Sequence, residues 1–106
     1  MATPPSELTK DGYELQFGTN TLAHFHFTTL LLPQLLAANP PGRVVNTSSD
    51  GHQMAPSEGI NFDNLRGIQG PASEGLQAKF RAYGQSKLVS LLRASPLWTS
   101  VLTFMI

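Results

Sequence analysis

The chain has 106 residues, which is enough for one small domain. Seven basic residues balance seven acidic ones, so no long-range field attracts nucleic acid or an anionic membrane. The absence of cysteine excludes disulfides, thiolate catalysis and zinc-finger sites. The apolar runs are far shorter than the ~20 residues that span a bilayer, and the N-terminus lacks the basic and apolar segments of a secretory signal. We therefore expect a cytoplasmic protein with no membrane span and no nucleic-acid partner.

A long first helix is predicted over residues 11–38. Asp11, followed three residues later by Glu14, resembles a capping box, and the Asn-Pro-Pro-Gly stretch at 39–42 ends the helix. Pro33 lies inside it and is expected to kink it or to remove one hydrogen bond. At about 100° per residue the apolar side chains fall on two arcs. A helix with two apolar sides is expected to pack on a sheet on one side and on a partner helix on the other, which a second subunit can supply.

One strand is predicted over residues 43–47, which read Arg-Val-Val-Asn-Thr between Pro-Gly and Ser-Ser-Asp-Gly. Its polar and apolar residues do not alternate cleanly, which suits a strand buried on both faces of a parallel sheet. Residues 50–75 are rich in glycine and proline and are expected to form a loop, in which 60–65 dock on the body of the domain. A second helix is predicted over 76–94, ended by the Ser-Pro step that follows.

Tyr83 and Lys87 are the first candidates for chemistry. They are four residues apart and therefore share one face of the second helix. An ammonium group beside a phenol favours the phenolate, which makes acid–base work on an alcohol or a carbonyl feasible near neutral pH. The alternative is a chance pair on a solvated helix, because this spacing is frequent in proteins.

Ser49 and Asn20 are the other candidates. Ser49 follows the predicted strand, where open α/β sheets bind ligands, so its hydroxyl can bond a substrate oxygen; the alternative is a turn or capping residue. Asn20 is polar within an apolar arc of the first helix, and it either makes a helix-to-loop hydrogen bond or holds a water in a proton relay. The three histidines are interpreted as structural or surface residues, because no metal-site spacing occurs.

Four stretches of the chain, taken in order, resemble the short-chain dehydrogenases/reductases. Residues 11–25 resemble the helix written DGFE…NHLGHF in that family, with Asn20 at the position of its asparagine. Residues 43–49 resemble the RVVNVSS strand, whose last serine is the catalytic one. The stretches 60–65 and 83–88, the second reading Tyr-Gly-Gln-Ser-Lys-Leu, follow in the family order. The subgroup that the chain resembles is the retinol-dehydrogenase-like and WW-domain-oxidoreductase-like branch.

The resemblance implies an α/β architecture, namely an incomplete Rossmann-type fold. Its parts are a long helix, one central parallel strand, a loop-rich insertion and a catalytic helix. We expect residues 1–94 to be the central catalytic segment of such a domain and residues 95–106 to be a divergent apolar tail. The glycine-rich coenzyme turn of the family does not occur in these 106 residues, which are expected to be a fragment truncated at both ends.

The resemblance also implies NAD(P)-dependent hydride transfer between an alcohol and a carbonyl compound. Tyr83 is then the general acid/base, Lys87 assists it and holds the nicotinamide ribose, Ser49 orients the substrate carbonyl, and Asn20 holds a relay water. Because the adenine-side motif is absent, Tyr83 and Lys87 are expected to contact only the nicotinamide-ribose half of the coenzyme. No metal is expected.

The isolated chain is expected to be inactive. Two alternatives to an oxidoreductase segment remain. The chain is either a non-catalytic truncated product that acts only by homo- or hetero-association through the helix 11–38, or a gene-prediction fragment.

Overall fold

The computed structural model describes residues 3–94, and it is mainly helical. The first helical region consists of α1, a π-helical turn and α2, and a second long helix, α3, closes the described chain. Three short 3₁₀ helices connect the two regions. In chain order the elements are α1 (Leu15–Phe17), the π-helical turn (Gly18–Leu22), α2 (Ala23–Ala37), the 3₁₀ helices Asp50–Met54, Phe62–Arg66 and Pro71–Ser73, and α3 (Gly75–Leu92).

The first helix begins later than predicted, and its cap is a different residue. Glu14 is the N-cap of α1, and its carboxylate accepts hydrogen bonds from the amides of Gln16 at 3.0 Å and Phe17 at 2.7 Å. The predicted capping box that starts at Asp11 is wrong. Gly12 has a φ of +77°, which a right-handed helix excludes, so the chain turns there before the helix can start.

The predicted strand over 43–47 is wrong for the residues described, since 3–94 contain no β-strand. The only β-pairing among them is an isolated bridge between Leu8 and Glu14. An extended segment becomes a strand when a neighbour pairs with its amides and carbonyls. Within 3–94 no backbone–backbone hydrogen bond involves 43–47, and Val45 is 86% exposed. The β part of the expected α/β fold is therefore not seen in this segment.

Helix α2 is uncovered within the described part of the chain. None of its residues is buried, although two-sided packing is predicted from its two apolar arcs. Phe27, Leu30 and Leu36 are all more than half exposed. Pro33 lies inside α2 without ending it, as expected.

The core lies where α1 and the π-helical turn pack on α3. Phe17 is 1% exposed and Val89 is fully buried. The predicted second helix is confirmed as α3, and the predicted docking of 60–65 is confirmed by two hydrogen bonds. The amide of Asn61 donates to Gln85 Oε1 at 2.7 Å, and the amide of Glu14 donates to the carbonyl of Leu65 at 2.9 Å.

The predicted tail 95–106, with its Ser-Pro stop, lies outside the described residues. Across 3–94, no helix combines the length and apolar character needed to cross a membrane.

Candidate active site

Asn20, Tyr83 and Lys87 line one open cleft of about 160 Å³. Tyr83 and Lys87 reach it because they are one turn apart on α3, and Asn20 reaches it from the π-helical turn. Single π-helical turns inside α-helices often lie at functional sites, because they re-aim one side chain. The structure therefore brings three of the four predicted site residues together. The remaining lining residues are Thr3, Leu15, Gln16 and Thr19.

Asn20 is tied to the helix that carries Tyr83. Its side-chain Nδ2 donates to Ser86 Oγ at 3.0 Å, and Ser86 Oγ donates to the carbonyl of Tyr83 at 2.8 Å. Ser86 itself is fully buried. The predicted helix-to-loop bond is thus a helix-to-helix bond. It holds Asn20 against the turn of α3 that carries Tyr83 and Lys87.

Lys87 lies beside the Tyr83 ring, as the spacing of four predicts. Its Nζ is 5.8 Å from the ring centroid, close to the ~6 Å limit for a cation–π contact. The same ammonium makes one long hydrogen bond of 3.4 Å to the carbonyl of Thr47. Lys87 has two further donors on its ammonium, which can serve a ligand in the cleft.

Ser49 does not line this cleft. It is the N-cap of the 3₁₀ helix Asp50–Met54, and its Oγ accepts the amide of Gly51 at 3.1 Å. This hydrogen bond matches the capping role that the sequence offered as the alternative for Ser49. His52 donates from Nδ1 to the carbonyl of Ser49 at 2.7 Å and so holds the turn. Because Ser49 Oγ is an acceptor here, its proton is left to donate to an oxygen.

Two residues of the site escape prediction from sequence. Ser86 precedes Lys87 in the Tyr-Gly-Gln-Ser-Lys run. This position beside a candidate residue is the only sequence feature that points to a role for it in the site. Gln16 is buried, and its Nε2 donates to the carbonyls of Thr3 and Lys79, both at 3.1 Å. These partners are far apart in the chain, so local spacing carries no sign of them.

The charges around the site are few. Burial raises the pKa of the Glu14 carboxyl above its ordinary value, while hydrogen bonds from the amides of Gln16 and Phe17 pull it down. No group of three or more potential metal ligands occurs within residues 3–94. A larger cavity of about 500 Å³ is lined by Arg81 and Gln85 among others, and none of the four predicted site residues borders it.

Comparisons with known proteins identify relatives along most of the chain. No family model and no solved structure matches it. An uncharacterised oxidoreductase of Schizosaccharomyces pombe is 45% identical over 97 residues, which cover 87% of this chain and 27% of that protein. Human retinol dehydrogenase 14 is 41% identical over 88 residues, 83% of this chain and 23% of the relative. The chloroplastic short-chain dehydrogenase TIC 32 A of Brassica napus is 38% identical over 97 residues, 88% of this chain and 28% of the relative.

The chain thus spans less than a third of the length of these relatives. Other matches carry the same family name, among them a short-chain dehydrogenase/reductase of Armillaria gallica that is 53% identical over 66 residues, 59% of this chain and 20% of that protein. Together with the ordered motifs, these relatives show that the chain belongs to the short-chain dehydrogenase/reductase family.

Proposed function

We propose that this chain carries the catalytic segment of an NAD(P)-dependent oxidoreductase, which transfers hydride between an alcohol and a carbonyl compound. The observation that carries the proposal is the cleft shared by Asn20, Tyr83 and Lys87. Support also comes from the relatives, two of which are named retinol dehydrogenase 14 and polyprenol dehydrogenase.

In the proposed reaction Tyr83 exchanges a proton with the substrate oxygen. The ammonium of Lys87 lies on the same helix face, beside the ring whose hydroxyl takes part in this acid–base step. The Ser49 hydroxyl donates a hydrogen bond to the substrate carbonyl oxygen, where negative charge develops. Asn20, fixed through Ser86, holds the water that resupplies the proton. When bound, the nicotinamide coenzyme supplies or accepts the hydride.

The size and chemistry of the cleft suit one part of that coenzyme. Small-molecule sites usually measure ~300–1,000 Å³, and this cleft measures about 160 Å³. Its polar groups, the Lys87 ammonium and the Tyr83 hydroxyl, match the hydroxyls of a ribose. The sequence holds no glycine-rich phosphate loop for the rest of the dinucleotide. We therefore assign the nicotinamide-ribose half to Tyr83 and Lys87.

The 106 residues alone are proposed to be inactive. Residues 43–47 have no backbone pairing within the described chain, and a parallel strand needs neighbours on both edges. Ser49 follows this unpaired segment, so the position of its hydroxyl relative to a substrate depends on strands that are not in residues 3–94.

Calorimetry on the whole chain tests the proposal with two half-coenzymes, nicotinamide mononucleotide and adenosine monophosphate. We expect saturable binding of the first and none of the second. Loss of a charged hydrogen bond costs about 1.5–3 kcal/mol, so Lys87→Met should weaken nicotinamide mononucleotide more than tenfold.

Lys79→Met is the matched control, because Lys79 carries the same charge on the same helix and lies outside the cleft. Equal weakening by the two variants would reduce the effect to net charge, and no binding of the nicotinamide half would refute the assignment. Reduction of a carbonyl substrate by the chain with NADPH would contradict the proposed inactivity.

A second candidate function is association through α2. The observation that favours it is the exposure of Phe27 (64%), Leu30 (61%) and Leu36 (69%) on a helix with no buried residue. A second copy of this chain can cover that surface. Sedimentation of the wild type should then show a dimer that Leu30→Gln with Leu36→Gln dissociates. A monomeric wild type at high concentration would exclude self-association and leave a different chain as the partner.

A further inference from the structure

Gly51 is buried between Ser49 and the Tyr83 ring. A methyl group added to its α-carbon would lie 2.5 Å from Tyr83 Cε1, 2.8 Å from Tyr83 Cδ1 and 3.3 Å from Ser49 Oγ. Carbon atoms in contact are normally ~3.5–4.0 Å apart. The edge of the tyrosine ring therefore occupies the space that any other residue at position 51 would need.

Gly84 is also tightly packed, but against different atoms. A methyl group there would lie 2.5 Å from the amide nitrogen of Ala55, 2.7 Å from the carbonyl oxygen of Gly51 and 2.7 Å from the carbonyl carbon of Met54. All three are backbone atoms. Gly84 thus lets the 3₁₀ helix Asp50–Met54 dock on α3, whereas Gly51 makes room for a side chain.

We propose that Gly51 is a positioning residue that sets the Tyr83 ring against the Ser49 hydroxyl. Both groups lie beside this glycine: its amide donates to Ser49 Oγ at 3.1 Å, and the edge of the Tyr83 ring occupies the space that a β-carbon at position 51 would take. Tyr83, which lines the cleft, and Ser49, which does not, are therefore joined through Gly51. A side chain at position 51 pushes the ring away and separates the two groups, and the catalytic consequence rests on the proposed function.

A double-mutant cycle on the full chain tests the contact without any coenzyme. Gly51→Ala is introduced into the wild type, into Tyr83→Phe, which keeps the ring, and into Tyr83→Ala, which removes it. We expect the unfolding equilibrium constant to rise at least tenfold in the first two backgrounds. In Tyr83→Ala the rise should fall below threefold, because the methyl group then has space and alanine lowers the entropy of the unfolded chain. An equal rise in all three backgrounds would overturn the proposal.

Nuclear Overhauser effects give the geometry directly. The α-protons of Gly51 should show strong effects to the ring protons of Tyr83, and Gly51→Ala should change the ring's effects to residues 49 and 51. Effects between Tyr13 and Arg66, whose guanidinium lies 4.1 Å from that ring centroid, should stay the same. Val89→Ala serves as a destabilised control, since it empties part of the core.

The absence of effects between Gly51 and Tyr83 in the wild type would refute the contact, as would unchanged effects to residues 49 and 51 in Gly51→Ala. If the contact is found and nicotinamide mononucleotide does not bind, the coenzyme assignment fails and the positioning by Gly51 stands.

Discussion

The hydrogen bond between Asn20 and Ser86 joins the π-helical turn to α3, and its removal gives a measurable prediction. Ser86→Ala deletes two bonds at once, the one that Ser86 Oγ accepts from Asn20 and the one that it donates to the carbonyl of Tyr83. It also leaves Asn20 Nδ2 without this acceptor in a half-buried position. The substitution therefore removes the hydrogen bonds that connect Asn20 to Tyr83 through Ser86.

The magnitude follows from these two bonds. Each contributes about 0.5–1.5 kcal/mol net, because folding exchanges bonds to water for bonds within the protein. The higher helix propensity of alanine offsets less than ~0.7 kcal/mol of this loss of stability. We expect the free energy of unfolding of Ser86→Ala to fall by about 1–2 kcal/mol. Asn20→Ala loses only the shared bond, so the coupling energy between the two substitutions should be about 1 kcal/mol.

Urea titrations followed by circular dichroism measure these values for the wild type, the two single variants and the double variant. Ser90→Ala is the matched control: its hydroxyl, also buried on α3, donates to the carbonyl of Ser86 at 3.3 Å, whereas Asn20 donates to the Ser86 hydroxyl. It should lose stability without coupling to Asn20→Ala. Strict additivity of Asn20→Ala and Ser86→Ala would refute the helix-to-helix bond.

Three further predictions concern the frame around the site. Phe17→Ala should lower stability by about 3–5 kcal/mol in urea titrations, whereas Phe27→Ala, on an exposed position, should change it by less than ~0.5 kcal/mol; similar losses would place the core wrongly. Burial raises the pKa of Glu14 above 4.5, so its contribution to stability is full below that pH and is lost as the pH rises through the folded value. Titrations from pH 4 upward should show the wild type losing stability relative to Glu14→Gln, and a constant difference would contradict the burial. Arg66→Met removes the cation and should cost about 0.5–1 kcal/mol, because the guanidinium lies over the Tyr13 ring; an unchanged midpoint would show that this contact is not made in solution.

Local sequence signals predict the part of the site that depends on one helix. Tyr83 and Lys87 share a face because a spacing of four fixes this in any α-helix. The position of α3 also follows from its composition and from the glycine-rich stretch before it. The family motifs add the roles, which remain predictions for all four site residues.

The features that the sequence did not predict depend mostly on contacts between residues that are distant in the chain. The π-helical turn carries Asn20, and Ser86 on α3 meets Asn20 across 66 positions of the chain, which no local pattern reveals. The strand over 43–47 has the right composition, but pairing needs a neighbouring strand that residues 3–94 do not supply. The late start of the first helix follows from the turn at Gly12, whose positive φ a pattern of apolar residues does not reveal.

The cleft of Asn20, Tyr83 and Lys87 is proposed to hold the nicotinamide-ribose half of a coenzyme. The most direct measurement is a titration of the ¹⁵N-labelled chain with nicotinamide mononucleotide, followed by amide chemical shifts. We predict saturable shifts at the cleft residues Thr19, Asn20 and Lys87. Shifts confined to the larger cavity beside Arg81, or no saturable shifts at all, would contradict the claim.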